Sequence, residues 1–135
     1  MYARLLTAAL AFAAPLVCSA ATSVTIDANA NCLSSTFGPT KHGTAVQIQL
    51  APGRYVFSLV SNTMSCSNGD LSGGCLADSV FLQGGWGSAR WGTTITAKPT
   101  VVDMTQATMT LWAYIADDGC QNNTGTAQIL IQTAS

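Results

Sequence analysis

Glutamate is absent from the 135 residues, histidine occurs once, as His42, and charged side chains make up only 8% of the chain. These shortages exclude a good deal of chemistry. General acid–base catalysis draws mostly on histidine and on carboxylates held as separate partners. A Ser-His-Asp triad would have to use His42, and no Gly-x-Ser-x-Gly elbow accompanies it. Asp117 and Asp118 are adjacent in sequence, and neighbours on an extended segment point to opposite faces, so they would not flank one bond. A non-enzymatic role is therefore expected. Zinc is disfavoured by the single histidine and the lack of any Cys-x-x-Cys pair. The basic residues Lys41, Arg54, Arg90 and Lys98 are scattered among six acidic ones, so no basic patch marks a nucleic-acid partner. His42, beside Lys41, reads as solvated surface.

The chain also lacks a long apolar run beyond its start. Leu5 to Val17 is apolar, with Arg4 before it and Ser19, Ala20 and Ala21 after it. That order is the pattern of a signal peptide, and the run is short of the ~20 residues a membrane-spanning helix needs. We expect a signal over residues 1–20, a single domain over 21–135, and a secreted, periplasmic or cell-surface location without a membrane span. Cys18 does not read as a lipid-modified cysteine, because Pro15-Leu16-Val17 places no small residue just before it.

What is present is β-forming and polar. Thr44 to Leu50 alternates, with Val46, Ile48 and Leu50 on one face and Gln47 and Gln49 on the other. Ala51-Pro52-Gly53 reads as a turn leading to a strand over Arg54 to Val60, and the two strands are expected to form a hairpin. Asp78 to Gln83 reads as a strand, and the Gly/Trp-rich stretch from Gly84 to Gly92 as a connection. Short strands follow over Thr93 to Ala97 and Thr100 to Asp103, split by Pro99. Ala107 to Ile115 is the strongest strand: Met109, Leu111, Ala113 and Ile115 share one face, Trp112 and Tyr114 the other. Thr126 to Thr133 closes the chain with Ala127, Ile129 and Ile131 inward. The expected fold is all-β, an antiparallel β-sandwich or jelly roll of about eight strands.

Beyond the signal stand Cys32, Cys66, Cys75 and Cys120. An even count in an exported chain reads as disulfides. Three pairings are possible; we favour Cys66–Cys75, closing a short Gly/Ser/Asn loop, with Cys32–Cys120 tying the N-terminal region to a late loop.

The bend between the last two strands, Asp117 to Gly125, concentrates oxygen: Asp117, Asp118, Gln121, Asn122, Asn123 and Thr124. Calcium wants six to eight oxygens of this kind, whereas Asp, Asn and Gly also make turns for conformational reasons alone. Asn122-Asn123-Thr124 is formally a glycosylation acceptor too, and a glycan there would exclude a metal. Trp86 and Trp91, flanked by glycines, are either a sugar-stacking platform or the cap on an open end of the sandwich. Trp112 and Tyr114 either cover a second sheet or lie at a subunit interface of a homo-oligomer.

The segment Thr110-Leu-Trp-Ala-Tyr-Ile-Ala-Asp-Asp-Gly-Cys-Gln-Asn-Asn-Thr-Gly-Thr-Ala-Gln-Ile-Leu-Ile131 resembles the C-terminal hairpin of the calcium-dependent galactophilic bacterial lectins. Pro52-Gly53 and the stretch Gly74 to Gly85 resemble that family in order and spacing. The resemblance implies a bacterial carbohydrate-binding module. Calcium would be held by Asp117, Asp118, Asn122 and Asn123; the candidate ligand contacts are Asn122 in that bend, Asp70 in the middle loop and, from their own flanking glycines rather than the resemblance, Trp86 and Trp91. The bend is shorter than the family's between acid and asparagines, and the family's sugar-contacting histidine has no counterpart, its loop carrying Asn68 and Asp70 instead. The competing expectation is a structural or interaction subunit of a surface or filament assembly with the same fold.

Overall fold

The computed structural model describes residues 21–34, 43–72, 74–86, 88–106 and 109–134. The expected signal segment and His42 lie outside them. Among the described residues nine strands occur: β1 (Thr22–Asp27), β2 (Cys32–Leu33), β3 (Val46–Gln49), β4 (Gly53–Val60), β5 (Val80–Trp86), β6 (Ala89–Ile95), β7 (Thr100–Met104), β8 (Thr110–Ala116) and β9 (Thr126–Thr133). One sheet has the order β1-β9-β4-β7. The other runs β2-β8-β5-β6, with β3 also pairing β8. Both β2 and β3 use β8, opposite Ile115–Ala116 and Ala113–Thr110 respectively, so they act as one interrupted edge strand. Counted that way, eight strands are wound as two four-stranded sheets with the connectivity of a jelly roll. Every pairing is antiparallel except the short β2–β8 contact.

The period-two pattern decides what lies between the sheets. Phe57, Ile129, Ala127 and Ile26 come from one sheet, Val80, Leu82, Ile95, Leu111 and Ala113 from the other, and all are fully buried. Burying one such large aliphatic or aromatic side chain is worth about 1.5–3 kcal/mol, so this layer is the main source of stability. Among the described residues no helix is long and apolar enough to cross a membrane.

Two expected hairpins are not formed. β3 pairs β8, whereas β4 pairs β7 and β9; Ala51-Pro52-Gly53 therefore crosses from one sheet to the other. Likewise β8 and β9 lie in opposite sheets, so the Asp117–Gly125 bend is an arch between sheets. Alternation marks which side chains face the core, and strands of either sheet satisfy it equally. The Gly84 to Gly92 stretch, expected as a connection, is mostly the β5–β6 hairpin, with Gly84 opposite Trp91 and Gly85 opposite Arg90. Glycine is used there for room: a Cβ on Gly84 would lie 2.5 Å from the Trp91 ring and 2.8 Å from Leu111.

Both favoured disulfides are present, Cys32–Cys120 and Cys66–Cys75. The first joins the start of β2 to the arch that follows β8. The second closes the loop between β4 and β5.

Candidate functional site

Asp117 leaves β8 and immediately turns the chain, its Oδ1 accepting the Gly119 N–H at 3.0 Å. A single 3-10 turn, Cys120–Asn122, follows. Gly125, at φ +83°, redirects the chain into β9. Two neighbouring segments clamp this arch. From the β1–β2 turn, the Asn29 side-chain amide donates to the carbonyl oxygens of Cys120 (3.0 Å) and Asn123 (3.4 Å). From the disulfide loop, the Asn68 N–H donates to the Asn122 carbonyl at 2.8 Å. Ser65 exchanges both main-chain hydrogen bonds with Thr124, at 2.8 and 2.9 Å.

The side chains of this arch fall into two groups. Asp118 is exposed, and the Asp117 carboxylate already serves the turn. Asn122 and Asn123 differ: the Oδ1 of each is buried and has no hydrogen-bond partner among the described residues. Asn123 is 3% exposed, and its Nδ2 lies 3.4 Å from the Cys32 sulfur. A buried amide oxygen without a partner costs about 1–3 kcal/mol, and an amide oxygen can accept a hydrogen bond or ligate a hard cation. Among the described residues no three His, Cys, Asp or Glu side chains gather into a metal-binding group; here the oxygens on offer are amides.

The residues expected to bind ligand do not meet in one place. Asn122 is in the arch, and Asp70 is on the adjoining disulfide loop. The exposed Asp70 carboxylate accepts from the Ser72 N–H (2.8 Å) and hydroxyl (2.6 Å). These bonds hold its pKa below the ordinary aspartate value, the hydroxyl contributing most. Trp91 lies at the level of Leu111, through its partner Gly84, toward the start of β8 and hence the far end from the arch. It is half-buried against the core and wedges the space between the sheets. Trp86 pairs Ala89 at that same far end; its side chain lies outside the described residues.

A second assembly occupies the outer face of the β8-β5-β6 sheet. Phe81 is opposite Tyr114, and Gln83 is opposite both Trp112 and Gly92. The Phe81 and Tyr114 rings stack with centroids 5.9 Å apart and an interplanar angle of 17°. Arg90 reaches across from β6 and places its guanidinium carbon 5.1 Å from the centre of the Trp112 ring, a cation–π arrangement. With Leu33 and Ala45 at one margin, Gln83, Arg90, Trp112 and Tyr114 line a shallow depression of about 320 Å³. A second depression of about 340 Å³ shares Gln83, Arg90 and Tyr114 and continues over Phe81 and Gly92, so the two form one surface.

The outward direction of Trp112 and Tyr114 is legible in the alternation of β8. Phe81, Gln83 and Arg90 were not among the expected site residues. The available signal was Phe81 and Gln83 alternating with Val80 and Leu82, which puts an aromatic on the solvent face of a neighbouring strand. Comparison with protein-family models, with characterised proteins and with solved structures finds no match, so the reading of this surface stands on its own geometry.

Proposed function

We propose that this chain is a lectin-like carbohydrate-binding module whose ligand lies on the outer face of the β8-β5-β6 sheet. One observation carries this reading: the stacked Phe81–Tyr114 pair and the Trp112 ring sit beside the Gln83 amide and the Arg90 guanidinium on a hydrogen-bonded sheet. Sugars combine apolar C–H faces with a rim of hydroxyls. Aromatic rings take the former over a large area with few rotatable bonds. Amide and guanidinium groups take the latter, and a sheet holds both without a loop to order on binding. The likeness of the β8-to-β9 segment to galactophilic lectins points to the same class of ligand.

Trp112→Ala is expected to weaken glycan binding about 10- to 100-fold, the range of a truncated aromatic anchor. Its melting temperature should stay within a few degrees of wild type, since Trp112 points away from the core. Titration against ligands chosen from a glycan array measures the first, calorimetry the second. A blank array together with a large assembly by light scattering would instead support the structural or interaction subunit, with the same aromatic face buried between subunits.

A calcium-assisted form of this reading is favoured by one specific observation, the unpartnered Oδ1 atoms of Asn122 and Asn123. Amide oxygens are suitable calcium ligands, so the donor chemistry fits. Asn122 and Asn123 would hold the ion together with Asp117 and Asp118, and bound calcium would supply positive charge at the arch. At 100 times its dissociation constant, calcium would add about 2.7 kcal/mol of stability. The melting temperature should therefore rise by several degrees with calcium and fall with EDTA, and the Asn122→Ala/Asn123→Ala double variant should lose that response. An unchanged melting temperature in wild type removes calcium from the proposal.

A further inference from the structure

We infer that the sugar recognised on the β8-β5-β6 face is an acidic one, its carboxylate held by Arg90. The inference rests on the carbohydrate reading and names the ligand class for the same surface.

The described residues contain one salt bridge, Arg54 to Asp103, a two-pronged pair with contacts of 2.7 and 3.0 Å. It shows how an arginine is satisfied in this protein: a carboxylate stands opposite it on the neighbouring strand, Arg54 facing Asp103 across β4 and β7. Arg90 has no such partner. The residue opposite it is Gly85. Among the described residues the Arg90 side chain makes no hydrogen bond or ion pair, and its contact is the Trp112 ring. No aspartate lines either depression of this surface. A guanidinium carries five N–H donors in a planar fork suited to a carboxylate. Lying over a ring engages its charge but leaves those N–H groups unspent.

Space points the same way. Gly92 is next but one to Arg90 on the same face, opposite Gln83. Nothing in the backbone or packing demands glycine there. Its φ is not in the left-handed region, and a Cβ would meet only the Leu82 carbonyl, at an ordinary 3.7 Å. The missing side chain leaves the strip between Arg90 and Gln83 bare, where a planar carboxylate can lie with its ring seated on the aromatics. A charge-assisted, two-pronged contact is roughly twice as strong as a neutral hydrogen bond, so the acid group would decide between otherwise similar sugars.

The test titrates the oxidised protein calorimetrically with galacturonate, alginate and hyaluronate oligosaccharides, and with neutral galactan oligosaccharides of matched length. At least one acidic series should bind 10-fold or more tighter than the neutral one, with the margin shrinking as salt is raised. Arg90→Gln should remove the margin, weakening the acidic series at least 10-fold more than the neutral one, while Trp112→Ala weakens both. Equal affinity for acidic and neutral sugars overturns the acid preference and leaves carbohydrate binding standing. So does an Arg90→Gln variant that weakens both alike, which would make Arg90 a support for Trp112 only. If no oligosaccharide of either kind binds, the carbohydrate reading falls, and the acid preference with it.

Discussion

Replacing Cys32 and Cys120 together by alanine is expected to lower the unfolding free energy by about 4–5 kcal/mol, against about 2–3 kcal/mol for the Cys66/Cys75 pair. The difference comes from chain entropy. The first bridge joins residues 88 apart and the second joins residues 9 apart, and the longer loop loses more freedom in the unfolded chain when it is closed. Packing adds to the gap. Cys32 and Cys120 are 0% and 1% exposed, so removing their sulfurs also leaves unfilled volume. A small domain has about 5–15 kcal/mol in all, which makes the longer bridge a large share of it. Urea unfolding of the two double variants at one pH measures both values. A loss for the Cys66/Cys75 variant equal to or greater than that of the Cys32/Cys120 variant would contradict the argument. The longer bridge also bears on the arch: Asn123 packs against the Cys32 sulfur, so its loss should abolish any calcium response before the fold itself is lost.

Gly125→Ala should cost about 3 kcal/mol or more, whereas Gly74→Ala should cost only about 1 kcal/mol. The two glycines have nearly the same backbone torsion, φ +83° and +84°, so the intrinsic penalty for an L-residue is shared. Their surroundings differ. A Cβ on Gly74 meets nothing within 4 Å, but one on Gly125 would stand 2.1 Å from the Thr63 carbonyl oxygen and 3.1 Å from the Met64 Cα. Those are backbone atoms and cannot rotate aside. Thr63 cannot retreat cheaply either, because its N–H donates to the Thr126 carbonyl at 2.8 Å and the Ala28 N–H donates to the Gly125 carbonyl at 3.0 Å. Thermal unfolding of the two variants reads the difference directly. Equal losses would mean that the arch can shift as a unit and is not held as tightly as its hydrogen bonds imply.

Several features of the molecule are legible in the residues without any coordinates. The faces of β8 and β9 follow from strict alternation: Met109, Leu111, Ala113 and Ile115 are buried, as are Ala127, Ile129 and Ile131. Loop length and position favoured one of the three possible disulfide pairings, and the structure has that one. The unusual composition of the arch was visible as a crowd of oxygen-bearing side chains. Each of these depends on local order along the chain, and local order is what a sequence states.

Strand partnership and the aromatic face do not have that character. Alternation assigns Val46, Ile48 and Leu50 to one face but is silent on which sheet carries them, because both sheets face the same core; hence β3 and β4 part company across Pro52. Phe81, Gln83, Arg90, Trp112 and Tyr114 come from three strands, and Arg90 follows a glycine-rich stretch that reads as a turn until the Trp91 ring is seen to need the space over Gly84. The chain alone determined an all-β sandwich with two internal cross-links and an oxygen-rich arch. Only the tertiary structure decided that the arch spans two sheets, that two of its amide oxygens are buried without partners among the described residues, and that one arginine lies over an indole with no described acid to answer it. The physical reason is that hydrogen-bonded strand pairing is non-local: it sets side by side residues whose separation in the chain carries no signal of their meeting.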